Sequence, residues 1–306
     1  VSAPRDFLSL LDRSTADIRD LLDQARRLRD DFRARTLPRA LGDIRVGLIW
    51  DAEGFRNRVA FELGIALMGG TAIEVPGRLD ERESVEDVAQ YLDNWFDLVI
   101  VRTRDHAVLQ RLANAAEAPV INARTNHNHP VEILGDLAYL RSIRPTVEGL
   151  KVVFVGEATN VGRSWFEAAA LLPIEVIQAC PEGYTMSTDF LSREGADVVG
   201  NIGVTHDLAV ALRHADVVCT DTWPRAEDDA ERARIRRLFG PYRITEEHLA
   251  LAKPDVLFLP CPPVHRNEEV SADAMASPRC RVYAAKDWLL HAQNALMLSI
   301  VQSTTR

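Results

Sequence analysis

Arg56 and Arg58 stand two residues apart in the stretch WDAEGFRNRVAFELGIALMGG, between a short apolar run, IRVGLIW, and a helix-like pattern. Guanidinium forks and the N–H groups of a helix N-terminus both suit an oxyanion such as phosphate. Further groups with chemical potential follow other apolar runs: Arg102 to Arg104, His127 to Glu132, Glu157 to Arg163, Asp221 to Arg225 and Pro260 to Arg266. They are rich in Arg, His, Asn and Asp and include Cys261. Together they point to an anion-binding enzyme site in a cleft between two domains. Plainer readings stand beside several of them: a structural salt bridge for Arg58, packing for Phe55, a solvated helix-start charge for Arg225.

The apolar runs explain why these groups would gather. IRVGLIW, TAIEVP, DLVIVRT and APVINA read as strands, alternating with helical RNRVAFELGIALMGG, SVEDVAQYLDNWF, DHAVLQRLANAA and HPVEILGDLAYLRSI. A first helix carries Ser14, Thr15 and Asp17 as capping candidates. After RPTVEGL the alternation restarts. KVVFV, IEVIQAC, DVVCTDTW and DVLFLPCPPV are strands, THDLAVALRHA is a helix, and AKDWLLHAQNALMLSIVQS closes the chain as a helix. Strands alternating with helices predict an α/β fold with two parallel sheets, divided near Pro145. In such sheets ligands bind beyond the carboxyl ends of the strands, where the polar groups above fall.

The 306 residues fit two domains of about 150 each. A net charge of -9 argues against a nucleic-acid partner. Cys180, Cys219, Cys261 and Cys280 lack metal-type spacing, so no metal is expected and a reduced, cytoplasmic protein is. Neither a signal-peptide core nor an apolar run near the ~20 residues of a membrane span is visible.

The ordered motifs resemble the aspartate and ornithine carbamoyltransferase family along almost the whole chain. Its Ser-Thr-Arg-Thr-Arg loop is matched by Gly54-Phe55-Arg56-Asn57-Arg58, its strand-end arginine by Arg102, and its His-Pro-x-Gln by His129-Pro130-Val131-Glu132. In the second half the ornithine branch's Gly-Asp-x-x-Asn is matched by GEATN, ending at Asn160. Asp-Val-Trp is matched by Asp221-Thr222-Trp223, and His-Cys-Leu-Pro by Pro260-Cys261-Pro262-Pro263. LLHAQNALM resembles the family's closing helix.

That resemblance implies a carbamoyl-phosphate-binding domain over residues 1–145 with helix 285–306 returning to it, and an acceptor-binding domain over 146–284. It implies an enzyme without a cofactor, assembled as a homotrimer, acting on carbamoyl phosphate and an amine. Gly54, Phe55, Arg56, Asn57 and Arg58 would bind phosphate, with Arg102 and His129 stabilising the carbamoyl oxygen and Glu132 accepting from the carbamoyl NH2. Asp221 and Cys261 would orient the attacking amine. Asn160 and Arg225 would bind the acceptor, and carbonyls near Cys261 and Pro262 the carbamoyl NH2. The loop DERESVED, with Glu81, Arg82, Glu83 and Ser84, falls where the family's trimers complete a neighbour's site.

Departures from the motifs shape the expected activity. Gly54 and Phe55 replace hydroxyl residues, Glu132 replaces glutamine, Pro260 a histidine, and Leu289 the last helix's arginine. Glu132 either has a raised pKa or signals a more cationic donor. Arg225-Ala226-Glu227 replaces Ser-Met-Gly, so an acceptor other than ornithine is expected. The alternatives are another reaction on a phosphate- or carboxylate-bearing substrate, or a non-catalytic binding relative.

Overall fold

The computed structural model describes residues 5–193 and 198–304. The chain divides into two compact units, Val1–Thr146 with Lys286–Arg306, and Val147–Ala285. Residues 1–4, 194–197 and 305–306, which the expected limits include, lie outside the described residues.

The first unit begins with α1 (Thr15–Ala34), whose N-cap Ser14 and Asp17 form a reciprocal capping box. Then follow β1 (Arg45–Trp50), α2 (Phe55–Leu67), β2 (Thr71–Val75), α3 (Val85–Asp93), β3 (Leu98–Arg102), α4 (His106–Ala115), β4 (Val120–Arg124) and α5 (Pro130–Ile143). The strands are parallel in the order β2-β1-β3-β4. The chain steps outward from β1 to β2 and then returns to the other side of β1. This reversal opens a crevice at the carboxyl ends of β1 and β3, where Trp50 pairs with Arg102 and Arg102 with Arg124. Pro130 at the first position of α5 needs no N–H partner and starts the helix directly after His129. Buried residues run from Pro130 to Leu140, so α5 is enclosed on all sides.

The second unit runs β5 (Lys151–Val155), α6 (Asn160–Leu171), β6 (Glu175–Ala179), α7 (Asp189–Arg193), β7 (Asn201–Thr205), α8 (Leu208–Leu212), β8 (Val217–Thr220), α9 (Asp229–Phe239), α10 (Glu246–Leu249), β9 (Leu257–Pro260) and α11 (Ala272–Ala276). Its parallel order, β7-β6-β5-β8-β9, reverses between β5 and β8. The loops after those two strands carry Glu157 to Asn160 and Asp221. Sequence patterning identifies neither β7 nor α9. β7 is an edge strand with no buried residue, and α9 buries only Ile235 and Phe239, so neither carries a full apolar period. The closing helix α12 (Val282–Thr304) belongs to the first unit from Lys286 onward.

Candidate active site

In the first unit, the loop between β1 and α2 is shaped by one arginine. Gly54 caps α2 at φ 144°, a conformation that L side chains rarely adopt. A Cβ there would lie 2.5 Å from Arg102 Cζ and Nη2. Glycine is therefore required by the approach of the Arg102 guanidinium, whose Nε donates to Glu53 O at 2.8 Å. The Trp50 indole N–H closes the loop on Gly54 O at 3.2 Å. Arg102 thus lies across the N-terminus of α2, the arrangement that suits an oxyanion.

The rest of the motif divides differently from expectation. Phe55 does not pack inside: it is 68% exposed, with the Arg56 guanidinium 5.2 Å above its ring. Arg58 takes the salt-bridge reading, donating to Glu62 at 2.8 Å and to Glu74 at 2.6 and 3.0 Å. Asn57 points inward. Its amide donates to Glu132 Oε2 at 2.9 Å and its carbonyl accepts from Gln293 Nε2 at 2.7 Å, so this side chain braces the interior.

Behind the loop lies a buried charge cluster. Glu132 and Asp136, one turn apart on α5, each accept from Lys286 Nζ at 2.7 Å. His129 Nε2 is 3.5 Å from Glu132 Oε2. All four side chains are at least nine-tenths buried. Burial alone would raise the Glu132 pKa, but Lys286, His129 and the hydrogen bonds from Lys286 and Asn57 outweigh it and hold the carboxyl low. Asp136 goes the other way. Burial pushes it up to about 6, with Lys286 opposing and the Glu132 charge adding. Of the two carboxylates sharing one ammonium, Asp136 is the one that takes the first proton. Of the two readings of Glu132, the raised pKa is corrected: its neighbour Asp136 carries the rise. Burial lowers His129 to about 3, against Glu132 and assisted by Arg102, Arg124 and Lys286. At neutral pH this imidazole is uncharged and can donate a hydrogen bond to a developing oxyanion.

Leu289 lies three residues beyond Lys286, buried against Ala60, Leu290 and Gly135. It contributes packing where the family resemblance implies an arginine. Sequence reading missed Lys286 and Arg124. No local signal marked Lys286, which Asp287 directly follows, because the buried acids it meets lie far earlier in the chain.

In the second unit, neighbouring strand ends gather Asn160, Asp221 and Cys261. Asn160 is buried at the start of α6, behind the N-cap Thr159. The Cys261 N–H bonds Thr220 O at 2.8 Å, and Asp221 Oδ1 accepts from the Thr222 N–H at 2.8 Å. Burial raises the Glu157 pKa and the nearby Asp221 charge raises it further. Trp223 is buried against Phe239 and Ile235, so α9 anchors the loop that continues to Arg225. Arg225 itself is exposed, and Pro262 precedes a cis peptide bond to Pro263. Among the described residues, His265, Glu268 and Glu269 form the one group with metal-ligand spacing, their ligand atoms within 4.8 Å of one another. Arg236 engages Glu268 at 3.5 Å.

Family models match both parts of the chain. "Aspartate/ornithine carbamoyltransferase, carbamoyl-P binding domain" matches residues 5–142, and the family's "Asp/Orn binding domain" matches residues 148–300. An ornithine carbamoyltransferase of Chlorobaculum tepidum is 35% identical over 306 residues, covering 98% of this chain and 90% of the relative. One from Geobacillus stearothermophilus is 35% identical, covering 97% of each. The solved ornithine carbamoyltransferase of Pyrococcus furiosus superposes with a TM-score of 0.91 at 32% identity, covering 97% of each chain.

Lys286→Met strands two buried carboxylates and should cost about 3–5 kcal/mol. Arg58→Met breaks exposed pairs and should cost less than about 1 kcal/mol. Urea unfolding compares them, and equal losses would contradict the cluster's role. For Asp136, a raised folded pKa favours folding below its ordinary value of 3.8, a contribution lost as pH rises through about 6. Asp136→Asn should therefore gain stability relative to wild type between about pH 4 and pH 7. A difference that stays flat or falls over that range would contradict the assignment.

Proposed function

The chain belongs to the aspartate/ornithine carbamoyltransferase family, and on that premise we propose that it transfers a carbamoyl group from carbamoyl phosphate to an amine. The observation that carries the reading is the Arg102 guanidinium lying across the N-terminus of α2, close enough to Gly54 to exclude any Cβ, with buried His129 following the next strand. Arg102, Arg56 and the α2 N–H groups hold the phosphate. His129 and Arg102 stabilise the carbonyl oxygen as the amine lone pair attacks the carbamoyl carbon. A C–N bond forms, the C–O bond to phosphate breaks, and the amine loses one proton. Asp221 and Glu157 form the anionic end of the second sheet that attracts the ammonium form of the acceptor, with Asn160, Cys261 and the carbonyls near Pro262 orienting it.

Two acceptor readings stand on different observations. The relatives' names favour ornithine. An amine other than ornithine rests on the sequence departure Arg225-Ala226-Glu227, in the loop that Trp223 anchors on α9. Phosphate release and ureido product, followed with carbamoyl phosphate and a panel of amines that includes ornithine, decide between them.

Homo-oligomer assembly, a trimer by family resemblance, fits the surface of α2. Phe55, Val59, Leu63 and Leu67 recur every fourth residue and are all exposed, an apolar stripe of the kind that interfaces cover. We also place the protein in the cytoplasm. The four free cysteines suit a reducing compartment, and among the described residues no helix is long and apolar enough to cross a membrane.

Calorimetry with carbamoyl phosphate should show binding by the wild type and a loss of about 10- to 100-fold in Arg102→Ala, the size of one or two charge-assisted hydrogen bonds. Arg58→Ala, removing a residue already held by Glu62 and Glu74, should change affinity by less than about threefold. An Arg58 effect as large as that of Arg102 would reverse the pocket assignment. Sedimentation should give a trimer mass that falls toward monomer in Val59→Asp with Leu63→Asp. A monomeric wild type would reject the assembly.

A further inference from the structure

The charge cluster reaches both parts of the donor site. From Lys286 on α12, one path runs through Glu132 Oε1 to the same carboxylate's Oε2, which meets the Asn57 amide at 2.9 Å and His129 Nε2 at 3.5 Å. Asn57 sits in the first turn of α2, beside the loop that Arg102 crosses, and His129 precedes α5. Gln293, two turns along α12 from Lys286, holds the other end of Asn57 at 2.7 Å. We infer that Lys286 is a positioning residue of the donor site, its charge acting through Glu132 to fix His129 and Asn57.

The chemistry is specific about how. Lys286 Nζ is bonded to Glu132 and Asp136, and both partners are buried, so its charge is committed inside the unit. Glu132 without Lys286 would be a buried anion whose nearest cationisable neighbour is His129. The imidazole would then be drawn toward the protonated state, and the neutral ring with one proton-bearing nitrogen would be lost. Arg102 and Arg124, at strand ends, also oppose its protonation, while Lys286 bonds Glu132 directly. Lysine at 286 and glutamate at 132 are thus one unit: each requires the other.

The inference deepens the carbamoyl phosphate reading, and two readouts keep them separable. Imidazole NMR of His129, assigned by loss of the signal in His129→Gln, should show no titration above about pH 5 in the wild type. In Lys286→Met the midpoint should rise by at least about one pH unit. In Glu132→Gln with Lys286→Met it should return to the wild-type range. If Lys286→Met does not fold, Asp136→Asn with Lys286→Met leaves one carboxylate instead of two and carries the same comparison against Asp136→Asn alone. An unchanged midpoint, or a rise that persists without Glu132, overturns the positioning role. Wild-type protein that binds no carbamoyl phosphate by calorimetry overturns the donor reading instead, whatever His129 does.

Discussion

One ammonium held between two buried carboxylates organises the first unit. Lys286, Glu132 and Asp136 carry a cation and two acids where water cannot screen them. Lone buried charges cost several kcal/mol each, so the three side chains are fixed relative to one another far more firmly than any surface pair. Because Lys286 is on α12 and both acids are on α5, the last helix of the chain is tied to the helix that follows His129. Asn57 and Gln293 extend the same network to α2. A carboxylate at 132, which alone would repel an oxyanion, is thereby paired with a cation from within.

The two sheets explain why chemistry collects where it does. Each reverses its winding direction once, β1 to β3 in the first unit and β5 to β8 in the second. The loops at those reversals cannot be covered by a crossing helix, and they carry Gly54 and Arg102 in one case, Glu157 and Asp221 in the other. The first is cationic and fits an oxyanion. The second carries two acidic side chains, groups that suit an amine. Carbamoyl transfer needs both kinds of surface, since its donor carries a phosphate and its acceptor arrives largely protonated.

The alternation of strands and helices was legible in the sequence because most strands are buried on both faces and most helices on one. Motif order made the family legible too. Individual roles were less so, because a motif position does not say which way a side chain turns. Asn57 aligns with a phosphate-loop residue yet faces the interior, and Arg58 swings to Glu74 on the neighbouring strand. Gly54 reads as a lost hydroxyl, while in the fold it is space for Arg102. Lys286 was invisible for another reason: its partners lie 150 and 154 positions earlier, and no local pattern links them.

Carboxyl carbon NMR on protein labelled at Glu and Asp side chains tests the shared charge most directly. Glu132 should stay ionised well below pH 4, while Asp136 titrates near about 6. Both carboxyls titrating together in the ordinary acidic range, or Glu132 taking its proton first, would contradict a donor site built on a lysine-neutralised Glu132.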